Sequence, residues 1–204
     1  MINTIVFDLG GVVLDSPMDV IADAERAAGL EQGFFNRVAS RAAGAWALHE
    51  TGVLAREEFI TQFEEECGQR GGRIDAGELL DAIETYAQAR PRMVEAIRRL
   101  RAIGLRTAAL TNNWESPAAD WDVAGFQALF DVFVESWVEG VRKPDPAIYL
   151  RLLERLGAAA GECVFLDDIG RNLKTARELG MTTIKVTDPE AALAELGNLL
   201  GIEL

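Results

Sequence analysis

Cysteine, histidine and basic residues are scarce in this chain of 204 residues. It has two cysteines, Cys67 and Cys163, and one histidine, His49. Two cysteines without CxxC or Cys/His spacing exclude a disulfide framework and the usual zinc sites, so we expect both to be buried and reduced. The chain carries 20 Lys and Arg against 33 Asp and Glu, a formal net charge of −13. This charge argues against nucleic acid or an anionic membrane surface as a partner, because both require a basic face.

Long apolar segments are also missing. The first apolar run, 5–14, is interrupted by Asp8, and no basic segment precedes it. We therefore expect neither a signal peptide nor a membrane span, and a cytoplasmic location. What remains is an ordinary globular composition, with 49% hydrophobic and 26% charged residues. The length suits one domain, or one domain that carries an insert.

Short apolar runs alternate with helical patterns in two separate parts of the chain. A continuous β-branched and aromatic run at 4–7 is typical of a strand buried on both faces. Residues 16–90 are rich in Ala, Glu and Arg and predict about four helices with no strand. After Pro91, strands alternate with helices, which predicts a parallel sheet. The strands are expected at 106–110, 132–134, 163–166 and 183–186, and the helices at 93–103, 123–130, 146–156, 172–179 and 190–200.

The predicted fold class is therefore α/β, with a Rossmann-like parallel sheet flanked by helices and a small all-helical domain. The sheet and its helices are expected to comprise residues 1–15 and 91–204. The helical domain is expected to comprise residues 16–90.

Polar side chains follow four of the predicted strands. They are Asp8, the pair Thr111 and Asn112, Lys143, and the pair Asp167 and Asp168. In open parallel sheets the ligand binds beyond the carboxyl ends of the strands, so these residues are expected to converge on one site.

The residue types at this site have a consistent chemistry. Three carboxylates on adjacent strand ends repel each other unless a cation lies between them, and oxygen ligands favour Mg²⁺. A lysine, a hydroxyl and an amide are suited to the oxygens of a phosphate. One carboxylate facing the phosphorus could act as a nucleophile and form an aspartyl-phosphate.

Four motifs in this order resemble the haloacid dehalogenase superfamily. They are 6–13 (VFDLGGVV), 109–112 (ALTN), 143–145 (KPD) and 164–168 (VFLDD), the last followed by Asn172. The resemblance implies that 16–90 is a helical cap over the site. The chain looks most like the phosphatase branch that includes bacterial sugar-1-phosphate phosphatases and the N-terminal phosphatase domain of soluble epoxide hydrolases.

The resemblance also implies a role for each matched residue. Asp8 would be the nucleophile, and Lys143 would take part in catalysis. The implied Mg²⁺ ligands are Asp8, the Gly10 carbonyl, Asp168, and Asp167 directly or through water. The implied phosphate-binding residues are Thr111, Asn112 and Lys143, and Asn172 would support the metal loop.

One position departs from the pattern of the superfamily. Most of its phosphatases have an Asp two places after the nucleophile as general acid and base, and this chain has Gly10 there. Glycine cannot protonate a leaving alkoxide or activate water. Either the substrate has a better leaving group, or another residue takes the role. The nearest candidates in the sequence are His49, Glu50 and Asp15.

The expected function is a Mg²⁺-dependent phosphatase that hydrolyses a small phosphorylated metabolite, such as a sugar phosphate, through an aspartyl-phosphate. We expect a monomer or a homodimer. A 2-haloacid dehalogenase is one alternative, since attack on carbon needs no general acid. It also needs no metal, so the pair Asp167 and Asp168 argues against it. A non-catalytic phosphometabolite-binding protein is the other alternative, and Gly10 is the feature that favours it.

Overall fold

A five-stranded parallel sheet lies at the centre of the fold. The computed structural model describes residues 1–116 and 123–204. The strands are β1 (Thr4–Phe7), β2 (Arg106–Thr111), β3 (Val132–Glu135), β4 (Cys163–Asp167) and β5 (Thr182–Lys185). Their order is β3-β2-β1-β4-β5, and every pairing is parallel. All four residues of the central strand β1 are buried, which explains its continuous apolar sequence.

Two layers of helices cover the sheet. Within the described residues, the chain outside the sheet after residue 90 forms α6 (Pro91–Ala102), α7 (Val123–Gln127), α8 (Ser136–Glu139), α9 (Pro146–Leu156), α10 (Gly170–Glu178) and α11 (Pro189–Leu200). Buried residues of α6 and α11 pack with Ile5 and Phe7 of β1. Buried residues of α9 and α10 pack with Val6. The alternating side chains of β1 therefore contact different helix layers.

The segment between β1 and α6 contains five helices and no strand. It forms α1 (Pro17–Ala27), α2 (Phe34–Ala39), α3 (Ala45–Glu50), α4 (Arg56–Gly68) and α5 (Ala76–Tyr86), which we call the helical insert. The insert has its own hydrophobic cluster, in which the Trp46 ring contacts the rings of Phe35, Phe59 and Phe63. It therefore buries apolar surface without depending on the sheet.

The α/β fold with a parallel sheet is confirmed, with some differences in its elements. The insert has five helices where the sequence predicts about four, because the chain turns at 40–44 and splits one expected helix into α2 and α3. The helix expected at 123–130 ends at Gln127, and the short α8 has no counterpart in the prediction. Cys67 and Cys163 are free and buried, as expected. Among the described residues, no helix is both long and apolar enough to cross a membrane.

Two leucines on α9 allow the packing of this helix against the sheet to be tested. Leu152 is 0% exposed and Leu150 is 53% exposed, although they lie two residues apart. We expect Leu152→Ala to lower the free energy of unfolding by about 2–5 kcal/mol, since it leaves a cavity in the core. Leu150→Ala is the matched control and should change it by no more than about 0.5 kcal/mol. Urea denaturation measures both, and similar losses in the two variants would contradict this assignment of the core face.

Candidate active site

Three of the predicted polar positions meet at the carboxyl edge of the sheet. Asp8 directly follows β1, while Thr111 ends β2 and Asp167 ends β4. The register aligns Phe7 with Ala109 on one side and with Leu166 on the other, so these strand ends lie next to each other. The ordering of the strands thus brings together residues that are far apart in the sequence.

A buried lysine lies between two of the carboxylates. The Nζ atom of Lys143 is 2.8 Å from Asp8 Oδ1 and 2.8 Å from Asp167 Oδ2. Lys143 is 1% exposed, and both aspartates are buried as well. A buried charge is tolerated when it is paired and hydrogen-bonded. The three side chains, which we call the lysine triad, therefore depend on each other.

The lysine triad contains two carboxyl groups and one amine, and the pKa values of Asp8 and Lys143 are both shifted. Burial raises the pKa of Asp8 well above its usual value, Asp167 and Asp168 raise it further, and Lys143 opposes them. Burial lowers the pKa of Lys143, but its two carboxylate neighbours outweigh that effect and the net shift is upward. The lysine therefore stays charged.

Asp167 has both carboxylate oxygens occupied. Its Oδ1 accepts hydrogen bonds from the Ile169 N–H (2.7 Å) and from Asn172 Nδ2 (3.1 Å). Its Oδ2 accepts from Lys143 Nζ (2.8 Å) and again from Asn172 Nδ2 (3.0 Å). Asn172 is held in turn by Tyr149, whose hydroxyl donates to its carbonyl. These contacts suit Asp167 to orienting Lys143 and Asn172.

The side chain of Asn112 forms hydrogen bonds with the backbone of Lys143. Its Nδ2 donates to the Lys143 carbonyl (3.0 Å), and its Oδ1 accepts from the Lys143 N–H (2.8 Å). The Thr111 hydroxyl is buried and lies 3.5 Å from the Asn112 carbonyl. The structure thus places Asn112 beside Lys143, where it fixes the course of the lysine loop.

Asp168 completes a cluster of three carboxylates. Asp8, Asp167 and Asp168 each offer an oxygen, and these oxygens lie within 4.8 Å of one another. The Oδ1 atom of Asp168 is buried and has no hydrogen-bond partner among residues 1–116 and 123–204. Burial raises the pKa of Asp168 to about 6, with a further upward contribution from Asp167. A buried oxygen cluster with an unsatisfied acceptor fits a hard divalent cation such as Mg²⁺.

The two glycines after Asp8 are in different situations. At Gly11, with a φ of 82°, a Cβ atom would lie 2.5 Å from Asp168 Oδ2, so only glycine lets the loop approach the cluster. At Gly10 the nearest atom to a Cβ would be Pro17 Cδ at 3.5 Å, an ordinary contact distance. The backbone therefore requires glycine at position 11 but tolerates a side chain at position 10.

A cavity of about 220 Å³ lies between the carboxyl edge of the sheet and the helical insert. Asp8, Gly10, Asn112 and Lys143 contribute from the sheet side. The insert contributes a largely apolar wall that includes Met18, Ile21, Phe35, Ala39 and Trp46. Thr111 does not line this cavity. A small molecule bound here would contact Asp8 and Lys143 at one end and the insert at the other.

The three candidates for the missing acid lie in different places. Glu50 lines the cavity together with Asp8. His49 does not: its Nδ1 lies 2.9 Å from the Leu54 carbonyl, and its ring stacks on Phe59. Burial lowers the pKa of His49. Asp15 also lies outside the cavity, with its side chain 37% exposed and 3.6 Å from Arg90.

Arg142 and Arg171 are cavity residues that the sequence did not reveal. Arg142 forms an ion pair with Glu50, at 2.6 Å between Nη1 and Oε2. The position of Arg142 directly before Lys143 is a signal that could have indicated it. Arg171 lies on α10, one residue before Asn172. No comparable feature of the sequence indicates that it lines the cavity.

Comparison with known proteins shows the family of this chain. The family model for haloacid dehalogenase-like hydrolases matches residues 2–180. The chain belongs to this family. It is therefore a hydrolase, and the four motifs and the Rossmann-like sheet are those of a haloacid dehalogenase-like hydrolase.

Relatives of this hydrolase include proteins with phosphatase names. The bifunctional epoxide hydrolase 2 of Sus scrofa is 34% identical over 98% of this chain and 39% of its own length. The sesquiterpene phosphatase astK of Aspergillus oryzae is 30% identical over 76% of this chain and 79% of its own length. The chain spans less than two fifths of the length of the first curated relatives that it matches.

A solved structure with the same fold is a family enzyme from Bacteroides thetaiotaomicron, in complex with magnesium and inorganic phosphate. It superposes with a TM-score of 0.65 at 21% identity, over 91% of this chain and 94% of that one. At this identity the likeness concerns the fold of the hydrolase.

The raised pKa of Asp168 predicts a pH-dependent stability without divalent cations. Since the folded protein holds this proton up to about pH 6 and the unfolded chain releases it near pH 4, stability is lost as pH rises through that window. Asp168→Asn removes this loss. In EDTA, the variant should gain stability relative to the unsubstituted hydrolase between about pH 4 and pH 7, measured by urea denaturation. A difference that stays constant across this range would contradict the prediction.

Proposed function

We propose that this haloacid dehalogenase-like hydrolase is a Mg²⁺-dependent phosphatase acting on a small phosphorylated metabolite through a phosphorylated Asp8. The observation that carries the proposal is the lysine triad, of which Asp8 and Lys143 line the cavity, next to an Asp168 oxygen that has no hydrogen-bond partner among the described residues. A sesquiterpene phosphatase among the relatives, and the magnesium and phosphate in the Bacteroides enzyme, support it. The cap is proposed to be residues 16–90, and the core residues 1–15 and 91–204.

Asp8 is the proposed nucleophile. Its Oδ1 accepts from the Leu9 N–H at 2.7 Å and contacts Lys143, so Oδ2 is the oxygen assigned to attack. Burial disfavours the ionised carboxylate, and Lys143 and a bound cation would restore it. Attack at phosphorus would release the alcohol, and water would then cleave the phosphorylated Asp8.

The cation would be held by Asp8, the Gly10 carbonyl and Asp168. It would supply positive charge that offsets the charge of the phosphate. Asp167 would contact it through water, because its oxygens already accept four hydrogen bonds. We expect Lys143 to bind the phosphate with its ammonium group. Asn112, and Thr111 beside it, would fix the lysine loop around the phosphate.

Replacing the nucleophile tests the proposed reaction. The substrates are a sugar-1-phosphate, a nucleotide and an acyl phosphate with Mg²⁺, and phosphate release is measured. We expect release from at least one compound, a loss of at least about 10³-fold in Asp8→Asn, and no release in EDTA. Asp23→Asn removes an exposed carboxylate of the insert and should behave as the unsubstituted protein.

Other outcomes of the same experiment would contradict the proposal. Turnover of a 2-haloacid that survives EDTA would indicate a dehalogenase. Absence of turnover with every compound, and no difference between Asp8→Asn and the unsubstituted protein, would indicate a binding protein.

Phosphate binding should also depend on the cation. Without it, the site presents three carboxylates and one lysine within a chain of net charge −13. We expect inorganic phosphate to bind at least about 10-fold more weakly in EDTA than in Mg²⁺, or about 1.4 kcal/mol by isothermal titration calorimetry. Equal affinities in the two buffers would contradict the cation's role.

A further inference from the structure

The proposed reaction needs a proton donor that the loop after Asp8 does not provide. The departing alkoxide must gain a proton, and the water that attacks the phosphorylated Asp8 must lose one. Gly10 has no side chain for either task. Among the described residues that line the cavity, the carboxylic acids are Asp8 and Glu50, and Asp8 is the proposed nucleophile.

Glu50 is held firmly in the cavity wall. It is the last residue of α3, and its side chain is 9% exposed. Its Oε1 accepts a hydrogen bond from Trp46 Nε1 at 2.9 Å, and its backbone carbonyl accepts from the Ser136 hydroxyl. Its Oε2 forms an ion pair with Arg142 Nη1 at 2.6 Å. Within the described residues, Oε2 is held by this ion pair and not by an aligned hydrogen bond.

We propose that Glu50 is the general acid and base of this hydrolase, in place of the side chain that Gly10 lacks. This inference rests on the proposed phosphatase function. In the first step Asp8 Oδ2 forms a bond to phosphorus, the bond from phosphorus to the ester oxygen breaks, and Glu50 gives its proton to that oxygen. In the second step water attacks phosphorus, Glu50 accepts the water's proton, and the Asp8 carboxylate is released. The net reaction converts a phosphate ester and water to an alcohol and inorganic phosphate.

The surroundings of Glu50 suit it to carry a proton. Burial raises its pKa above the usual value. The charged or hydrogen-bonding groups that act on it are Arg142, the Trp46 N–H, Lys143 and Arg171, and all of these oppose the effect of burial. A glutamic acid with a raised pKa retains its proton closer to neutral pH, where an acid catalyst is most effective.

The test compares substrates that differ in their need for a proton. Ethyl phosphate releases an alkoxide, whereas acetyl phosphate, which is similar in size, releases a stable anion. For Glu50→Gln we expect kcat/KM on ethyl phosphate to fall by about 10²–10⁴-fold, and on acetyl phosphate by less than about 10-fold. Since both values come from one preparation, the folded fraction cancels in their ratio. An equal loss on both substrates would overturn the role, because a purely structural change affects them alike.

The pH profile provides a second measurement that needs no folded variant. In the unsubstituted protein, kcat/KM on ethyl phosphate should fall at high pH as Glu50 loses its proton, relative to kcat/KM on acetyl phosphate. A parallel profile for the two substrates would overturn the proposal. Asp15→Asn, which removes a carboxylate outside the cavity, is the matched control and should leave the substrate ratio unchanged.

Failure of the proposed function gives a different result. If the unsubstituted protein releases phosphate from neither compound, the phosphatase function is contradicted and the role of Glu50 with it. If it hydrolyses acetyl phosphate but not ethyl phosphate, the phosphatase function stands, and the role of Glu50 as an acid is overturned.

Discussion

The ion pairs of Lys143 with Asp8 and Asp167 are the interaction on which the site depends. Three charged groups are buried at the carboxyl edge of the sheet, and none is stable there without its neighbours. Each is also fixed by a further contact: Asp8 by the Leu9 N–H, Asp167 by Asn172, and the Lys143 backbone by Asn112. The loops after β1, β2 and β4 and the loop after α8 must therefore all be in place before the triad can form.

The helical insert and the sheet contribute different properties to the cavity. The sheet side supplies the charged groups and the insert supplies an apolar wall. Polar atoms join the two: Glu50 pairs with Arg142, and the Ser136 hydroxyl donates to the Glu50 carbonyl. Because these contacts converge on Glu50, a residue that links the two parts of the chain is also the one proposed to transfer the proton.

The sequence predicts most of the sheet, since β1, β3 and β4 are short apolar runs with a polar residue at or directly after their ends. It also predicts which residues converge, because Asp8, Thr111 and Asp167 stand at strand ends. It does not predict their hydrogen bonds. That Asn112 holds the backbone of Lys143, and that Asp167 uses both oxygens within the protein, depends on side-chain geometry. The ion pair of Glu50 with Arg142 joins residues that are far apart in the sequence, and no local sequence pattern predicts it.

Gly10 and Gly11 differ in whether the surrounding structure leaves room for a side chain. A Cβ at position 11 would collide with Asp168, whereas one at position 10 would meet only Pro17 at an ordinary distance. Folding therefore fixes Gly11 and leaves Gly10 open to substitution. A Cβ atom at position 10 is sterically admissible, so a clash at this atom does not explain the missing aspartate. Position 10 is consequently a site where a second proton carrier could be introduced while the loop keeps its shape.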